Sequence, residues 1–374
     1  MNRAAYDVAI VGAGIVGAAC ALECARAGMK VALIENAVIG GGATAAGMGH
    51  VVVMDDSEAQ FALTHYSRQL WQELSPELSA DVEYVRTGTI WVAADEEEMA
   101  EVRRKHDYYG ARGVRTEIMG AAALRSAEPK LRHGLAGGLL VPDDVVLYAP
   151  CAARWLLQQA QSRKAQLCVG QAAELSGQGV TMSDGSFIAA GMVVNAAGHW
   201  STTLTPGIEV RMRKGHLVIT DRYPGWVHHQ LVELGYLKSA HSMTTESVAF
   251  NVQPRITGQL LIGSSRQFGV EDKTVDTHML RAMVARASEY MPELGNLSVI
   301  RTWTGFRAAT PDKLPLIGPV EDHKGLYLAT GHEGLGITTS LGTAKLLVAQ
   351  LTGEQPAIPF APYLPSRNME TAHA

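Results

Sequence analysis

Residues 6–35 read YDVAIVGAGIVGAACALECARAGMKVALIE, and this stretch decides the fold class. An apolar, strand-like run from Tyr6 to Val11 enters a glycine loop, GxGxxG, at Gly12, Gly14 and Gly17. Ile15 and Val16 begin an Ala- and Leu-rich helical stretch that stops at Gly28, and a second strand-like run ends at Glu35. The glycines serve a tight turn, close approach of backbone to a pyrophosphate, and close packing of helix on strand. The free amides of the helix N terminus then face the phosphates. Glu35 stands 18 residues beyond Gly17, where an acceptor for ribose hydroxyls belongs. A lone GxGxxG is also met as a structural turn. Strand, loop, helix, strand and acid in this order point to a dinucleotide, NAD or FAD.

Composition sets the outer bounds. A chain of 374 residues, 47% of them hydrophobic, can fill one large core or two smaller ones, since domains run to about 100–200 residues. Its 32 basic and 37 acidic residues give a net charge of −5 without long like-charge runs, so no nucleic acid is expected as a partner. The densest charged run, DEEEMAEVRRKHD at 95–107, reads as a solvated helix face. Cys20, Cys24, Cys151 and Cys168 show no metal-ligand spacing and read as reduced packing residues, with no metal expected. A strand beginning near Tyr6 leaves no room for a signal peptide, and the expected location is cytoplasmic. The longest apolar stretch, 8–22, is broken by three glycines and suits no transmembrane segment, while peripheral membrane contact stays open.

Three further segments continue the pattern. NAVIGGGATAAGMGH (36–50) is a loop of small residues, which let backbone lie against a flat ring system. VVNAAGHWS (193–201) is a strand entering a glycine turn. GLYLATGHEGLGITTSLGTAKLLVAQL (325–351) is a strand, a glycine-rich turn and a long helix whose N terminus can face an anion-like group. Between them, TGFRAATPDKLPLIGP (304–319) carries a single arginine, Arg307. Its guanidinium requires either an acid in the protein, Asp312 being the next one, or an acidic ligand.

With these motifs in order, the chain resembles the D-amino-acid oxidase superfamily of flavoproteins, in the branch of glycine oxidase, sarcosine oxidase and the D-amino-acid dehydrogenases. The resemblance runs from the fingerprint through NAAGHWS and GFR with TPDKLPLIGP to ATGHEGLGITTS. KGHLVITDRYPGWVHHQLVELGYLKSAH (214–241) and SVAFNVQPRITGQLLIGSSRQFG (247–269) most resemble the flavin subunit of bacterial D-hydroxyproline dehydrogenases. The resemblance implies an α/β protein with a Rossmann-like FAD-binding domain at about 1–82, 145–210 and 302–374. A smaller α+β substrate domain on a mostly antiparallel sheet, 83–144 and 211–301, is interleaved with it. Within the second domain, RITGQ at 255–259 reads as a hairpin turn, and a helix is expected from about Val275 to Tyr290. The tail after Gly353 reads as extended and then disordered. FAD would be held by Gly12, Gly14, Ile15, Val16, Gly17, Glu35 and Asn36, by Ala43, Thr44, Gly47 and Met48, by Ala173, by Ala197, Gly198 and Trp200, and by Arg307, Gly331, Gly334, Leu335, Gly336 and Ile337.

The resemblance also implies that Arg307 holds the substrate carboxylate, with Asn251, His50, Met48, His332 and Glu333 as further candidates at the reacting end. A histidine in such a loop serves more often as scaffold than as proton carrier, and no base is strictly required. The sequence departs from the family in several places, one being Ala308, where the family has a proline after the arginine. Asn251 stands four residues before Arg255, where glycine oxidase and its relatives have a tyrosine, and so makes the pocket more polar; an asparagine satisfying strand ends is the alternative. No cysteine follows Cys168, and Ala149 falls near the tethering histidine of heteromeric sarcosine oxidase, so noncovalent FAD is expected. Glu271 or Asp272 stands where monomeric sarcosine oxidase uses a lysine to promote reaction with oxygen, which favours a dehydrogenase. The expected activity is oxidation of a D-amino or cyclic imino acid, with cis-4-hydroxy-D-proline the best fit. Electrons would leave through iron–sulfur and second flavin or NAD-linked subunits of a heteromeric complex. A stand-alone peroxide-forming oxidase, a noncatalytic flavin subunit and a hydroxy-acid substrate are the alternatives.

Overall fold

A computed structural model describes residues 5–235 and 246–367. The chain divides into two units, the first made of Met1–Val82, Tyr148–Met212 and Phe306–Ala374, the second of Glu83–Leu147 and Arg213–Gly305.

The first unit is built on β1 (Tyr6–Val11), α1 (Ile15–Arg26) and β2 (Val31–Glu35). Every residue from Val8 to Ile10 and from Val31 to Leu33 is fully buried, as the apolar run requires of a strand covered on both faces. The two strands pair in parallel, with Val11 opposite Ile34. On its other side β1 pairs in parallel with Phe187–Asn195, Val11 meeting Asn195. The sheet continues through Leu326–Thr330 at one end and Gln166–Val169 at the other, with Leu316–Pro319 as an antiparallel edge. The order of connection thus reverses at β1, and the glycine loop leaves the carboxyl end of that strand. Ligands of open α/β sheets bind at such a switch point.

The second unit holds a sheet in the order Val299–Ala309, Arg211–Thr220, Leu260–Phe268, Glu246–Pro254, Gln230–Glu233, Thr89–Ala93, Gly137–Val141, Glu117–Gly120. From Arg211–Thr220 onward the pairs are antiparallel except Gln230–Glu233 with Thr89–Ala93, which is parallel. Alternation along the strands sends Ile90, Leu231, Phe250, Val252, Leu260 and Ile262 to one face, where Met283, Ala287 and Tyr290 of the helix Thr277–Tyr290 complete a core. The Phe250 and Tyr290 rings stack 4.5 Å apart. The helix begins two residues later than its apolar spacing suggests, because Asp276 caps it by accepting from His278 and Met279 amides. RITGQ is a hairpin turn, closed by Gly258 N to Arg255 O at 2.8 Å with Gly258 at φ +89°.

The charged run at 95–107 forms a helix, Glu96–Gly110, with Glu96, Glu97, Arg103, Arg104 and Asp107 exposed as expected, while Met99, Val102, Lys105 and Tyr109 on its other side are buried. Lys105 is fully covered, its ammonium 5.0 Å from the Trp91 ring and 5.4 Å from that of Tyr109, where the ring faces supply negative potential. The tail beyond Gly353 is docked as far as Arg367: the buried Tyr363 donates to Ala59 O at 2.6 Å. Positions 236–241 of the middle motif and 368–374 of the tail lie outside the described residues.

Candidate functional site

The glycine loop closes as steric necessity dictates. A Cβ on Gly17 would lie 1.9 Å from Gly12 O, so helix and turn touch backbone to backbone. Gly12 has φ +104°, and a Cβ there would meet Ala196 O at 2.6 Å. Gly14, the N-cap of α1, differs: its Cβ direction meets only Thr44 Oγ1, at 3.4 Å, leaving room beside the backbone. Thr44 Oγ1 accepts from the first helical amide, Ile15 N, at 3.0 Å. Glu35 accepts from Ala13 N at 2.8 Å and from Ala37 N at 3.0 Å, fixing its carboxylate beside the loop. A tight turn, an open flank at the middle glycine, helix amides and an anchored carboxylate together fit the pyrophosphate and ribose of a dinucleotide.

The loop 36–50 contains a short helix, Ala43–Ala46, and then joins the C-terminal helix Gly336–Thr352. Gly47 faces Ile337 Cδ1, Thr338 Oγ1 donates to His50 O at 3.1 Å, and Trp71 Nε1 donates to Ile337 O at 3.2 Å. A Cβ on Gly336 would come within van der Waals reach of Val16 and of His332. The fingerprint, the small-residue loop and the C-terminal glycine turn therefore meet in one place, with Met48 buried among them. Ala197 and Gly198 extend from the strand beside β1 into a turn, and the half-exposed Trp200 lies 3.8 Å from the Cβ direction of Gly42.

Arg307 stands near the end of Val299–Ala309, against the same turn. Its neighbour Ala308 accepts from Glu333 N at 2.8 Å, and Gly334 faces the Arg307 side chain, whose Nε is 3.6 Å from the Gly334 Cβ direction. Glu333 has φ +52°, a left-handed conformation that a residue with a side chain adopts at a cost. The acid that the sequence offered to Arg307 is taken elsewhere. Asp312 forms a two-pronged pair with Arg367, Nε to Oδ2 at 2.7 Å and Nη2 to Oδ1 at 2.9 Å. His50 is a close neighbour of Arg307; burial and then the guanidinium push its pKa down to about 4, and its Nδ1 has no hydrogen-bond partner among the described residues. His332 is buried, which lowers its pKa to about 3, and its Nε2 meets Thr343 Oγ1 at 2.9 Å. Both rings are thus neutral near pH 7.

The sequence profile of the FAD dependent oxidoreductases (DAO) matches residues 7–350. The chain belongs to this family. Glycine oxidase of Geobacillus kaustophilus is 28% identical over 386 residues, covering 97% of each chain. The crystal structure of glycine oxidase from that species superimposes with a TM-score of 0.87 at 27% identity, over 97% of this chain and 99% of that one. Hydrogen cyanide synthase subunit HcnC of Pseudomonas aeruginosa is 28% identical over 98% of this chain and 97% of its own. D-amino acid dehydrogenase of Vibrio cholerae is 27% identical over 79% of this chain and 70% of its own. The chain is accordingly an FAD-dependent oxidoreductase of the amino-acid oxidase and dehydrogenase family, with the mixed α/β architecture of its FAD-binding structures.

Not every candidate falls in the same unit. Asn251 belongs to the second, 5% exposed, its Oδ1 without a hydrogen-bond partner among the described residues. Ala173 is exposed on the strand Ala172–Ser176, beyond the turn in which Gly170 N donates to Glu35 O at 2.9 Å. Asp272, one of the two acids that stand where a lysine would promote reaction with oxygen, accepts from the buried Lys214 at 3.2 Å. Arg367, which fastens the loop after Arg307, escaped sequence reading because nothing in a proline-broken tail marks an arginine as buried. No helix among the described residues is long and apolar enough to cross a membrane.

Proposed function

We propose that this protein is a dehydrogenase of D-amino or cyclic imino acids, with cis-4-hydroxy-D-proline the favoured substrate and the corresponding pyrroline carboxylate the product. The observation that carries this reading is the place of Arg307, beside the Glu333–Gly334 turn and next to His50, where the small-residue loop and the C-terminal glycine turn meet. Arg307 would grip the substrate carboxylate as a planar fork and so orient the Cα–H bond. Bound FAD supplies the acceptor for the hydride leaving Cα. His50 and His332, neutral near pH 7, would shape the floor of the site rather than take a proton, and the amine would lose its proton to solvent. Gly12, Gly14 and Gly17 with Glu35 would hold the adenosine diphosphate portion, while the loop 43–48 and the turn 331–337 would hold the ring system. No cysteine follows Cys168, and Ala149 falls near the position of the tethering histidine, so the cofactor is noncovalent in this reading.

One relative bears the name of a subunit, which supports placing this chain in a heteromeric complex that passes electrons to iron–sulfur and second flavin or NAD-linked partners. Relatives named glycine oxidase favour a second reading, a stand-alone oxidase that makes hydrogen peroxide. The test is anaerobic bleaching of the flavin band at about 450 nm by D- and L-proline, the 4-hydroxyproline epimers, glycine, sarcosine and D-alanine, followed by air. Bleaching by cis-4-hydroxy-D-proline with slow reoxidation is the expected result. Bleaching by glycine or sarcosine with immediate reoxidation would establish the oxidase instead, and no bleaching by any amino acid would reject both.

A further inference from the structure

At one end of the core of the second unit, a short stretch of chain gathers positive charge around a cavity. The cavity holds about 230 Å³ and lies between the helix Ala121–Ala127 and the turn 131–135. Its apolar wall is Leu124, Leu131 and Leu135, three buried members of that core, and its rim carries Arg125, Arg132 and His133. His133 fastens both arginines. Its ring Nδ1 stands 3.3 Å from Arg125 Nη1, and its carbonyl oxygen accepts from Arg132 Nη1 at 3.1 Å. A guanidinium can only donate, so Nδ1 is the acceptor and the ring proton sits on Nε2. The turn itself is tied down: Arg132 N donates to Tyr290 O at 2.8 Å, and Gly134 takes φ +82°, which glycine adopts without strain.

Neither Arg125 nor Arg132 forms an ion pair among the described residues. Glu128, the next acid in the chain, is fully buried and accepts from the amides of His228 and His229 at 3.0 and 2.7 Å. Two guanidiniums drawn to one neutral residue repel each other unless an anion stands with them. Guanidinium forks match the oxygens of a phosphate, and two positive charges match the two negative ones that phosphate carries near neutral pH. The volume favours a small ligand, since pockets for drug-sized molecules run to about 300–1,000 Å³. We propose that this cavity is a second ligand site, binding a small phosphate dianion, free or carried on a short apolar body that lies against Leu124, Leu131 and Leu135. The site goes beyond the amino- or imino-acid reading and stands without it, because no residue in it belongs to the cofactor cradle or the carboxylate clamp.

The experiment is calorimetric titration of the FAD-loaded protein with propyl phosphate, inorganic phosphate and acetate, the bound cofactor occupying the phosphate positions of the glycine loop. A phosphate should bind at one site per chain with Kd below about 1 mM in physiological salt, at least tenfold tighter than acetate. Tighter binding of propyl phosphate would support the site with an ester as its ligand, whose body uses the apolar wall. Equal or weaker binding of propyl phosphate would support it with the free anion as its ligand. Arg125→Gln and Arg132→Gln should each weaken phosphate at least tenfold while retaining the wild-type FAD content. No saturable binding, acetate bound as well as phosphate, or variants that bind like the wild type would overturn the site. If a variant fails to fold, modification of Arg125 in the wild-type protein by phenylglyoxal, read by peptide mass spectrometry, decides instead. Phosphate should slow that modification severalfold, and an unchanged rate would overturn the site.

Discussion

The three fingerprint glycines should fail in different ways when given a methyl group. At Gly17 an added Cβ would sit 1.9 Å from Gly12 O, whereas an ordinary contact needs about 3.5 Å, so rigid backbone would have to yield by about 1.5 Å. Overpacking of that kind costs about 3 kcal/mol. Alanine returns about 1 kcal/mol in helix propensity, leaving Gly17→Ala about 2 kcal/mol less stable and its apoprotein melting about 3 °C lower. At Gly14 the new methyl would find Thr44 Oγ1 at 3.4 Å and no clash. Loss of the glycine N-cap costs the apoprotein about 1 kcal/mol or less, yet the methyl stands on the flank where the pyrophosphate must approach. Gly14→Ala should therefore fold nearly as well as wild type and bind FAD at least tenfold more weakly. Thermal unfolding of the apoproteins, beside titration of FAD by quenching of its fluorescence, separates the two effects. A Gly17→Ala apoprotein that melts with wild type, or a Gly14→Ala protein that binds FAD normally, would refute the assignment of roles.

Three other outcomes follow from the same geometry. Arg307→Ala should retain FAD while raising the substrate concentration for half-maximal flavin reduction by about two orders of magnitude, or roughly 3 kcal/mol, and an unchanged dependence in a titration would exclude Arg307 from the site. Arg367→Ala leaves Asp312, 13% exposed at its side chain, without its partner, and should cost about 3 kcal/mol; denaturant unfolding showing no loss would dismiss the clamp. Burial holds His332 at a pKa of about 3 in the folded protein, against about 6.5 unfolded. The unfolded state therefore binds more protons below pH 6.5, and stability should fall as pH drops, by about 2 kcal/mol at pH 5 from this residue. His332→Gln should flatten that slope, and an equal slope in the variant would show that another group is responsible.

Local signals proved readable where one residue type has one physical job. The glycines at 12 and 17 and the turn at Gly331 announce themselves because a side chain there would meet neighbouring atoms at 2.6, 1.9 and 2.7 Å, while Gly14 and the acid at 35 are marked by their spacing in the motif. The core face of the second sheet was likewise visible in period-two alternation through SVAFNVQP and QLLIGSS. What stayed hidden depends on partners distant in sequence. Asp312 is five residues from Arg307, yet its partner is Arg367, 55 residues away. Lys105 sits within a run of charges, and only the packing of Trp91 and Tyr109 shows that it is enclosed. Asp272 is joined to Lys214, 58 residues away in the chain.

The packing of α1 on the helix Gly336–Thr352 joins the fingerprint helix to one made much later in synthesis. Between Gly17 and Gly336 the ribosome must add 319 residues, which at about 10 residues per second takes about half a minute. During that interval α1 lacks the long helix that covers it, and the second unit, which ends at Gly305, has already emerged. The order of birth is thus the reverse of the order in which the sequence is read. The smaller unit can fold on the ribosome, while the cofactor cradle, written first, is finished last. Loading of FAD belongs to the completed chain, and a stalled or prematurely terminated product would carry the whole GxGxxG motif with no means of closing it.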